Sequence, residues 1–468
     1  MTMSHIETSS HTPAFADLKR FHFIGIGGAG MSGIALVLHR RDYEVTGSDL
    51  KPSRYVSLLE SDGIRVALRH TANNVDHPDV VVISSAIPEK NKELVEAHRR
   101  GIPVVKRAQA LAWLMEGRRG IAICGTHGKT TTTSMVSSVL LDAGSDPTFL
   151  VGGELNDLGS NARHGSGEFL VCEADESDGS LLYLHPEVAV ITNLELDHHS
   201  HYLHVNDVVE VFRQFIAELP RHGRLAYWAE DPRLVRLAAG APCRTFSYGF
   251  SAEADYQARE VSLHHGGSRF EVWRAGHRLA AAELSVPGQH NILNALACFA
   301  VLGEVGISAA RIAGTLRGFS GAARRFQWKG ERREVNVVDD YAHHPTEIKM
   351  TLRAARTGEW RRVIAVFQPH LYSRTLFLHN DFAKALLEAD LAVVTDVYGA
   401  REDPVPGVSG KLVVDSMLRL DPRTPVAYLP RLSSVVDYLE GLVRPGDLVI
   451  TLGAGDVHRV GERFLGLP

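Results

Sequence analysis

Along this chain, short blocks of consecutive apolar residues alternate with stretches whose apolar positions recur every three or four residues. From Phe21 to about Met115 the blocks FHFIGI, YEVTGSD, DVVVISSAI and IPVVKR predict strands. Between them AGMSGIALVLHRR, RYVSLLESDG and NKELVEAHRRG predict helices. That order is the beat of an open parallel sheet with helices on its faces. The polar, glycine-containing EGRRG at 116–120 marks a joint. A second strand–loop–helix unit begins at Gly120, followed by strands in EFLVCEADES and VAVITNLELDHH. Residues 223–285 read as a more irregular region, with alternating pieces such as SRFEVW, before PGQHNILNALACFAVLGEVGI returns to helix. Small residues and paired arginines around Phe319–Arg325 mark a second joint. Beyond it REVNVVDDYA, RVIAVFQPH, LAVVTDVY and DLVITLGAGD predict strands that end in polar residues. The carboxyl ends of parallel strands are where such sheets bind ligands. The expected plan is α/β with three domains in series, at 19–117, 118–320 and 321–468, after a flexible tail at 1–18.

Length and composition narrow the class. A chain of 468 residues exceeds one ordinary core. With 44% hydrophobic and 22% charged residues it reads as a folded, soluble protein. Fifty Lys and Arg against 55 Asp and Glu leave a net charge of -5, which argues against a broad nucleic-acid surface. It leaves room for a local basic pocket. Cys124, Cys172, Cys243 and Cys298 show no zinc or redox spacing, and Cys124 and Cys172 sit inside apolar runs as small hydrophobes. A polar N-terminus and the lack of a bilayer-length apolar run predict a cytoplasmic protein without integral membrane contact.

Two glycine-rich loops carry the candidate chemistry. Gly25-Ile26-Gly27-Gly28-Ala29-Gly30 follows a strand and opens a helix, as a diphosphate-binding turn does. Asp49 closes the next strand, where a ribose-binding acid sits in dinucleotide folds. The loop specifies a diphosphate rather than nicotinamide. NAD therefore remains one reading, a bare strand–helix turn another. The second loop, Gly125-Thr126-His127-Gly128-Lys129-Thr130-Thr131, also joins strand to helix. Ile123 departs from the usual G-x-x-x-x-G-K, and the shorter G-T-x-G-K-T fits instead. Its amides suit phosphates, an exposed Lys129 suits the terminal phosphoryl oxygens, and the Thr130 hydroxyl suits Mg²⁺. Further metal ligands are offered by Glu173, Asp175, Glu176 and Asp178, and by Asn193, Glu195, Asp197, His198 and His199. Histidines at 198, 199, 201 and 204 raise zinc as an idea, but no finger-like partner set accompanies them.

Taken together, HFIGIGGAGMSGIA, VTGSD, SSAIP, GTHGKTTTT, EADESD, TNLELDH, PGQHNILNALA, RRFQ, DDYAHHPTEI, FQPHLYSRT and GAGD closely resemble the Mur ligases, which form amide bonds in peptidoglycan synthesis. The resemblance runs from about Phe21 to the C-terminus. It implies a Rossmann-like N-terminal domain, a P-loop ATPase-like central domain and a Rossmann-like C-terminal domain. It also implies ATP and Mg²⁺ as cofactors, UDP-N-acetylmuramate and L-alanine as substrates, and a monomer or weak homodimer. By family pattern, Gly27, Gly28, Asp49, His70, Ser84 and Ser85 surround the UDP part. Lys129 neutralises ATP phosphate, Thr130 and Glu173 bind one Mg²⁺, and His198 a second. Asn291 and Asn294 read adenine and Asp340 the ribose. Arg324 or Arg325 reaches phosphate or substrate carboxylate. Tyr341, His343, His370 and Arg374 shape the amino-acid pocket. Leu371 stands where many relatives carry a second basic residue. Several members hold their second metal with a carbamylated central-domain lysine, yet no lysine occurs between Lys129 and Lys329. The second metal is then expected to rely on His198, the substrate carboxylate, phosphate oxygens and water. A ligase that attaches a recycled tripeptide to the same sugar is the alternative inside the family. An NAD-dependent oxidoreductase and a non-catalytic nucleotide sensor are the alternatives outside it. The oxidoreductase leaves the second loop unexplained.

Overall fold

The computed structural model describes residues 14–156, 159–177, 179–197, 202–400 and 402–467. Among these residues the chain builds three sheets in series. The first contains β1 (Arg20–Ile24), β2 (Glu44–Ser48), β3 (Arg65–Ala67), β4 (Val80–Ile83) and β5 (Val104–Lys106). All its pairings are parallel, in the order β3-β2-β1-β4-β5. Order reverses beside β1, so the crevice at its carboxyl end holds the first glycine loop. Residues 14–18, assigned above to a flexible tail, are packed instead. Phe15 stacks on Trp113 at 5.7 Å and Leu18 is buried. Apolar side chains so close to the first strand find the core beside them.

The central sheet has ten strands: β6 (Arg119–Cys124), β7 (Thr148–Leu155), β8 (Ser160–Arg163), β9 (Phe169–Glu173), β10 (Val188–Ile191), β11 (Arg224–Trp228), β12 (Arg244–Gly249), β13 (Tyr256–His264), β14 (Gly267–Arg274) and β15 (His277–Leu284). Their order is β15-β14-β13-β12-β11-β10-β6-β9-β7-β8. The stretch expected to be irregular, 223–285, is thus five strands and one short helix, Pro232–Ala238. β13–β15 form an antiparallel meander with register shifts between Arg259 and Ser262 and between Val272 and Trp273. Those bulges break the period-two alternation that identifies a strand in sequence. One face packs on helix Gln289–Glu304, whose residues from Ala295 to Leu302 are all buried.

The third sheet contains β16 (Gln327–Arg332), β17 (Val335–Asp340), β18 (Arg362–Phe367), β19 (Leu391–Val394), β20 (Val426–Tyr428) and β21 (Asp447–Leu452), in the order β16-β17-β21-β18-β19-β20. Edge strand β16 alone is antiparallel. The β7–β8 hairpin ties the three parts together. Asn161 Nδ2 donates to Ala29 O at 2.6 Å in the first glycine helix. Leu155 bridges Ala322, and Ala323 N donates to Glu154 O at 2.8 Å, just before the C-terminal sheet. No described helix is long and apolar enough to cross a membrane.

Candidate functional site

β6 delivers the second glycine loop to the sheet's carboxyl edge. Gly125 has φ 118 and Gly128 φ 80, values open to glycine. A Cβ on Gly125 would strike Thr192 Oγ1, and one on Gly128 would lie 2.6 Å from Asn294 Oδ1. The loop is latched from beneath, where Thr192 Oγ1 donates to His127 O at 2.6 Å and His127 N donates to Asn193 Oδ1 at 2.8 Å. Helix Lys129–Asp142 then presents free amides at its amino end.

Two cavities meet at this loop. One, of about 600 Å³, runs from Gly25, Gly27, Gly28 and Gly30 past Asp49 and Ser84 to Lys129, Glu173 and Asp175. The other, of about 350 Å³, lies between the central and C-terminal sheets. His127, Gly128, Thr131, Asn291, Asn294, Arg325 and Asp340 line it. Trp228, Tyr248 and Phe250, which the sequence reading missed, add aromatic faces to the same cavity. They come from the stretch whose strands went unrecognised.

In the first cavity Asp49 shapes the glycine loop, Oδ2 accepting from Gly27 N at 2.9 Å. Ser84 lines the wall, whereas Ser85 points to solvent at the rim. His70 is not on this wall. Its Nδ1 lies 2.9 Å from Ser48 Oγ, over a fully buried Glu93. That carboxylate accepts from Ser48 Oγ at 2.6 Å and Thr71 N at 3.1 Å, and from Asn74 Nδ2, with His22 Nε2 at 3.2 Å. Burial raises its pKa, but the His22, Ser48 and Asn74 contacts outweigh that and hold it below the usual range.

Lys129 is mostly buried rather than exposed at the loop. Its Nζ donates to Gly125 O at 2.5 Å, Thr126 O at 3.3 Å and Glu176 Oε2 at 3.0 Å. Burial disfavours its charge, yet Glu176, Asp175 and Glu173 together keep it protonated well above ordinary pH. Burial pushes Glu176 up to about 7, and its Oε1 has no hydrogen-bond partner. Glu173 ends β9 beside Thr130, with Oε1 accepting from Gly152 N at 2.6 Å. Burial raises its pKa, Thr130 and Lys129 opposing. A carboxylate raised by burial beside a threonine hydroxyl is the oxygen-donor pair that a hard divalent cation fits. His198, Asp178 and His199 lie outside the described residues.

Several expected side chains are already engaged. Arg324 is held inside the C-terminal domain. Its Nε donates to Asp339 Oδ2 at 2.9 Å and its Nη2 to Gly453 O at 2.7 Å. Of the two arginines it is Arg325 that lines the nucleotide-sized cavity, 3.7 Å from Glu347. Both guanidiniums lie over the Tyr341 ring, at 5.0 and 5.2 Å. Arg374 is buried too, Nε and Nη2 donating to Asp197 Oδ1 at 2.9 and 2.7 Å, with Nη1 3.1 Å from His370 Nδ1. It acts across the domain boundary rather than as a free fork for a substrate carboxylate. His343 stands between Tyr341 and His370, rings 5.2 and 5.8 Å away, and burial drops its pKa to about 3. Asp340 accepts from Ala342 N at 2.8 Å and Phe326 N at 2.9 Å, so it braces the interdomain linker while facing the cavity. Asn291 and Asn294 are bonded to each other at 3.2 Å, and also to Pro287 O and Thr132 Oγ1. Each amide keeps a second N–H for a ligand.

The joint between central and C-terminal domains is polar. Thr346 Oγ1 donates to Glu195 Oε2 at 2.6 Å, and His127 Nδ1 lies 3.2 Å from Glu347 Oε1. Burial lowers the His127 pKa, but Glu347 and Glu195 overcome it and raise it to about 9. Burial leaves neighbouring His344 neutral, its pKa near 4.

Comparison with known proteins gives three family matches between residues 20 and 455. "Mur ligase family, catalytic domain" matches residues 20–119, "Mur ligase middle domain" 123–302 and "Mur ligase, glutamate ligase domain" 324–455. A UDP-N-acetylmuramate–L-alanine ligase of Rubrobacter xylanophilus is 51% identical over 95% of this chain and 99% of its own. The protein of the same name from Pelotomaculum thermopropionicum is 49% identical over 95% and 97%. The crystal structure of UDP-N-acetylmuramate–alanine ligase from Thermotoga maritima superposes with a TM-score of 0.82 at 30% identity, covering 96% of this chain and 98% of that one. With three consecutive family matches over three sheets in series, this chain belongs to the Mur ligase family.

Proposed function

We propose that this protein joins L-alanine to the lactyl carboxylate of UDP-N-acetylmuramate, with cleavage of ATP to ADP and phosphate. The observation that carries the reading is the meeting of two phosphate-type cavities at the Gly125–Thr131 loop. One loop suits the diphosphate of a nucleotide sugar and the other a triphosphate, so the reacting carboxylate and phosphoryl group face each other across Lys129. We assign Gly27, Gly28, Asp49 and Ser84 to the sugar nucleotide. Ser85 and His70 stand further out, His70 as a brace. Asn291, Asn294 and Asp340 go to the nucleoside of ATP.

In this reading the lactyl carboxylate attacks the γ-phosphorus, a new P–O bond forms, and ADP leaves. The amine of L-alanine then attacks the acyl carbon of the resulting acyl phosphate, loses a proton and displaces phosphate. Thr130 and Glu173 would hold Mg²⁺, which screens phosphate charge. Lys129 and Arg325 supply fixed positive charge where two anions must approach. The half-buried Tyr341–His343–His370 wall is the candidate pocket for the small amino acid.

The test is phosphate release with ATP, Mg²⁺ and UDP-N-acetylmuramate against a panel of amino acids and the L-alanyl-γ-D-glutamyl-diaminopimelate tripeptide. Turnover that requires both the sugar nucleotide and L-alanine is expected. Preference for the tripeptide moves the protein to the recycling branch. Phosphate release that ignores the sugar nucleotide, or hydride transfer with NAD, removes the proposal.

A further inference from the structure

We propose that His127, Glu195 and His344 form a binding site for one transition-metal dication of the zinc class, bridging the central and C-terminal domains. The three side chains come from three segments: the second glycine loop, the loop after β10, and the turn that opens helix Pro345–Ala355. Their donor atoms all lie within 4.8 Å of one another. His127 Nε2 is 3.5 Å from Glu195 Oε2, and His344 Nδ1 is 3.6 Å from the same oxygen. Bonds of about 2.0–2.1 Å at tetrahedral angles put neighbouring donor atoms about 3.3–3.4 Å apart, so the site needs little closing. The two rings are 4.7 Å apart and tilted by 38°.

The surroundings fit a metal better than a chance cluster does. His127 Nε2 is buried and has nothing closer than its loose 3.5 Å approach to Glu195 Oε2, although a ring nitrogen out of water normally finds a well-formed hydrogen bond. The other ring nitrogen, Nδ1, faces Glu347 at 3.2 Å. A carboxylate behind a histidine is the arrangement that orients an imidazole and strengthens its free nitrogen toward a metal. The dication replaces the proton on Nε2. Glu195 is itself fixed by the Thr346 hydroxyl at 2.6 Å, on the oxygen that faces both rings. His344 Nδ1 accepts only a long bond, 3.4 Å, from Thr346 N. Two imidazoles and one carboxylate favour a borderline-soft cation over Mg²⁺ or Ca²⁺, which prefer all-oxygen shells. The site is separate from Thr130 and Glu173, and His127 and Glu195 open it onto the nucleotide-sized cavity, where water completes the shell.

The test uses the full chain without nucleotide, in millimolar Mg²⁺, titrated with Zn²⁺ against a chelating indicator. X-ray absorption is then measured on the one-to-one complex. One Zn²⁺ per chain, with two imidazole nitrogens and oxygen at about 2.0–2.1 Å, is expected. His344→Gln and Glu195→Gln should each weaken binding at least about tenfold, and Glu347→Gln, which touches no metal, about 10–100-fold. Near-ultraviolet dichroism checks that each variant is folded. If none folds, the absorption spectrum of the unaltered protein decides. No Zn²⁺ retained under Mg²⁺, a sulfur or a third imidazole in the shell, or unchanged affinity in a folded variant overturns the proposal. So does zinc lost on replacing His199, His201 and His204 instead.

Discussion

Lys129 shows why a motif residue should be weighed together with what it touches. Its ammonium closes the glycine loop onto two carbonyls and neutralises Glu176, which is 2% exposed. Lys129→Ala should lower turnover about 10²–10³-fold, the usual cost of removing one preorganised charge at a reacting oxyanion. It should also destabilise the central domain by about 1–3 kcal/mol, because buried Glu176 loses its charged partner and must take up a proton. Turnover numbers and urea melts read the two effects separately, and an unchanged melt would contradict the pairing. Glu93 is the second case. Glu93→Gln strands several donors and should cost about 1–3 kcal/mol at pH 7. Because its native pKa is depressed, the carboxylate's contribution is present above the unfolded value of 4.5 and is lost as pH falls through the lower native value. The gap between variant and parent, followed by circular dichroism in urea, should therefore narrow below about pH 4.5. A gap constant with pH would mean that Glu93 is not ionised in the native state.

At the scale of elements, the strand–loop–helix unit at β6 works because two glycines occupy conformations and spaces closed to other residues. Gly125→Ala places a methyl group against Thr192 at φ 118. The strain should be about 2 kcal/mol or more, enough to shift the loop and weaken ATP binding at least about tenfold. Calorimetric titration with ATP and Mg²⁺ measures this, and parental affinity would show that the loop tolerates the shift. The β7–β8 hairpin acts as a strut, since it bonds the first glycine helix at Ala29 and the interdomain linker at Ala322 and Ala323. Arg54 adds an ion pair to its Glu154, at 2.9 Å. Neither β7 nor β8 stands out in the sequence, because their pairing slips between Leu150 and Leu155.

Across the whole molecule, the C-terminal sheet is held to the central one by ion pairs and hydrogen bonds rather than by one continuous apolar core. The apolar clusters of the C-terminal domain lie on its own sheet faces. Arg374 and Asp197, 3% and 5% exposed, form the most buried pair across that joint. Arg374→Ala takes the guanidinium away from the buried Asp197 carboxylate and should cost about 3–5 kcal/mol. Scanning calorimetry should then show the C-terminal domain melting earlier and apart from the rest. A single transition at the parental temperature would mean that the joint does not depend on this pair. Since the pair is internal, loss of activity in this variant would report domain docking rather than a missing substrate contact.

The sequence by itself determined the α/β class, the serial plan and both glycine loops. Each rests on spacing within some thirty residues, where an apolar strand, a glycine turn and a helix start leave little freedom. The structure sets Lys129, Thr130 and Thr131 at the helix start after the glycine loop, where that spacing puts them. Which of Arg324 and Arg325 faces the cavity was not legible, because adjacent residues have the same chemistry and φ 59 at Arg324 turns its side chain inward to Asp339. The Asp197–Arg374 pair lies 177 residues apart along the chain, so no local pattern announces it. The aromatic wall of Trp228, Tyr248 and Phe250 depended on recognising strands whose bulged meander hides their alternation. Burial made the remaining decisions. Side chains that look free in the sequence, Asp49, Lys129, Asp340 and Arg374, are largely committed to partners, because a polar group removed from water has to be satisfied within the fold.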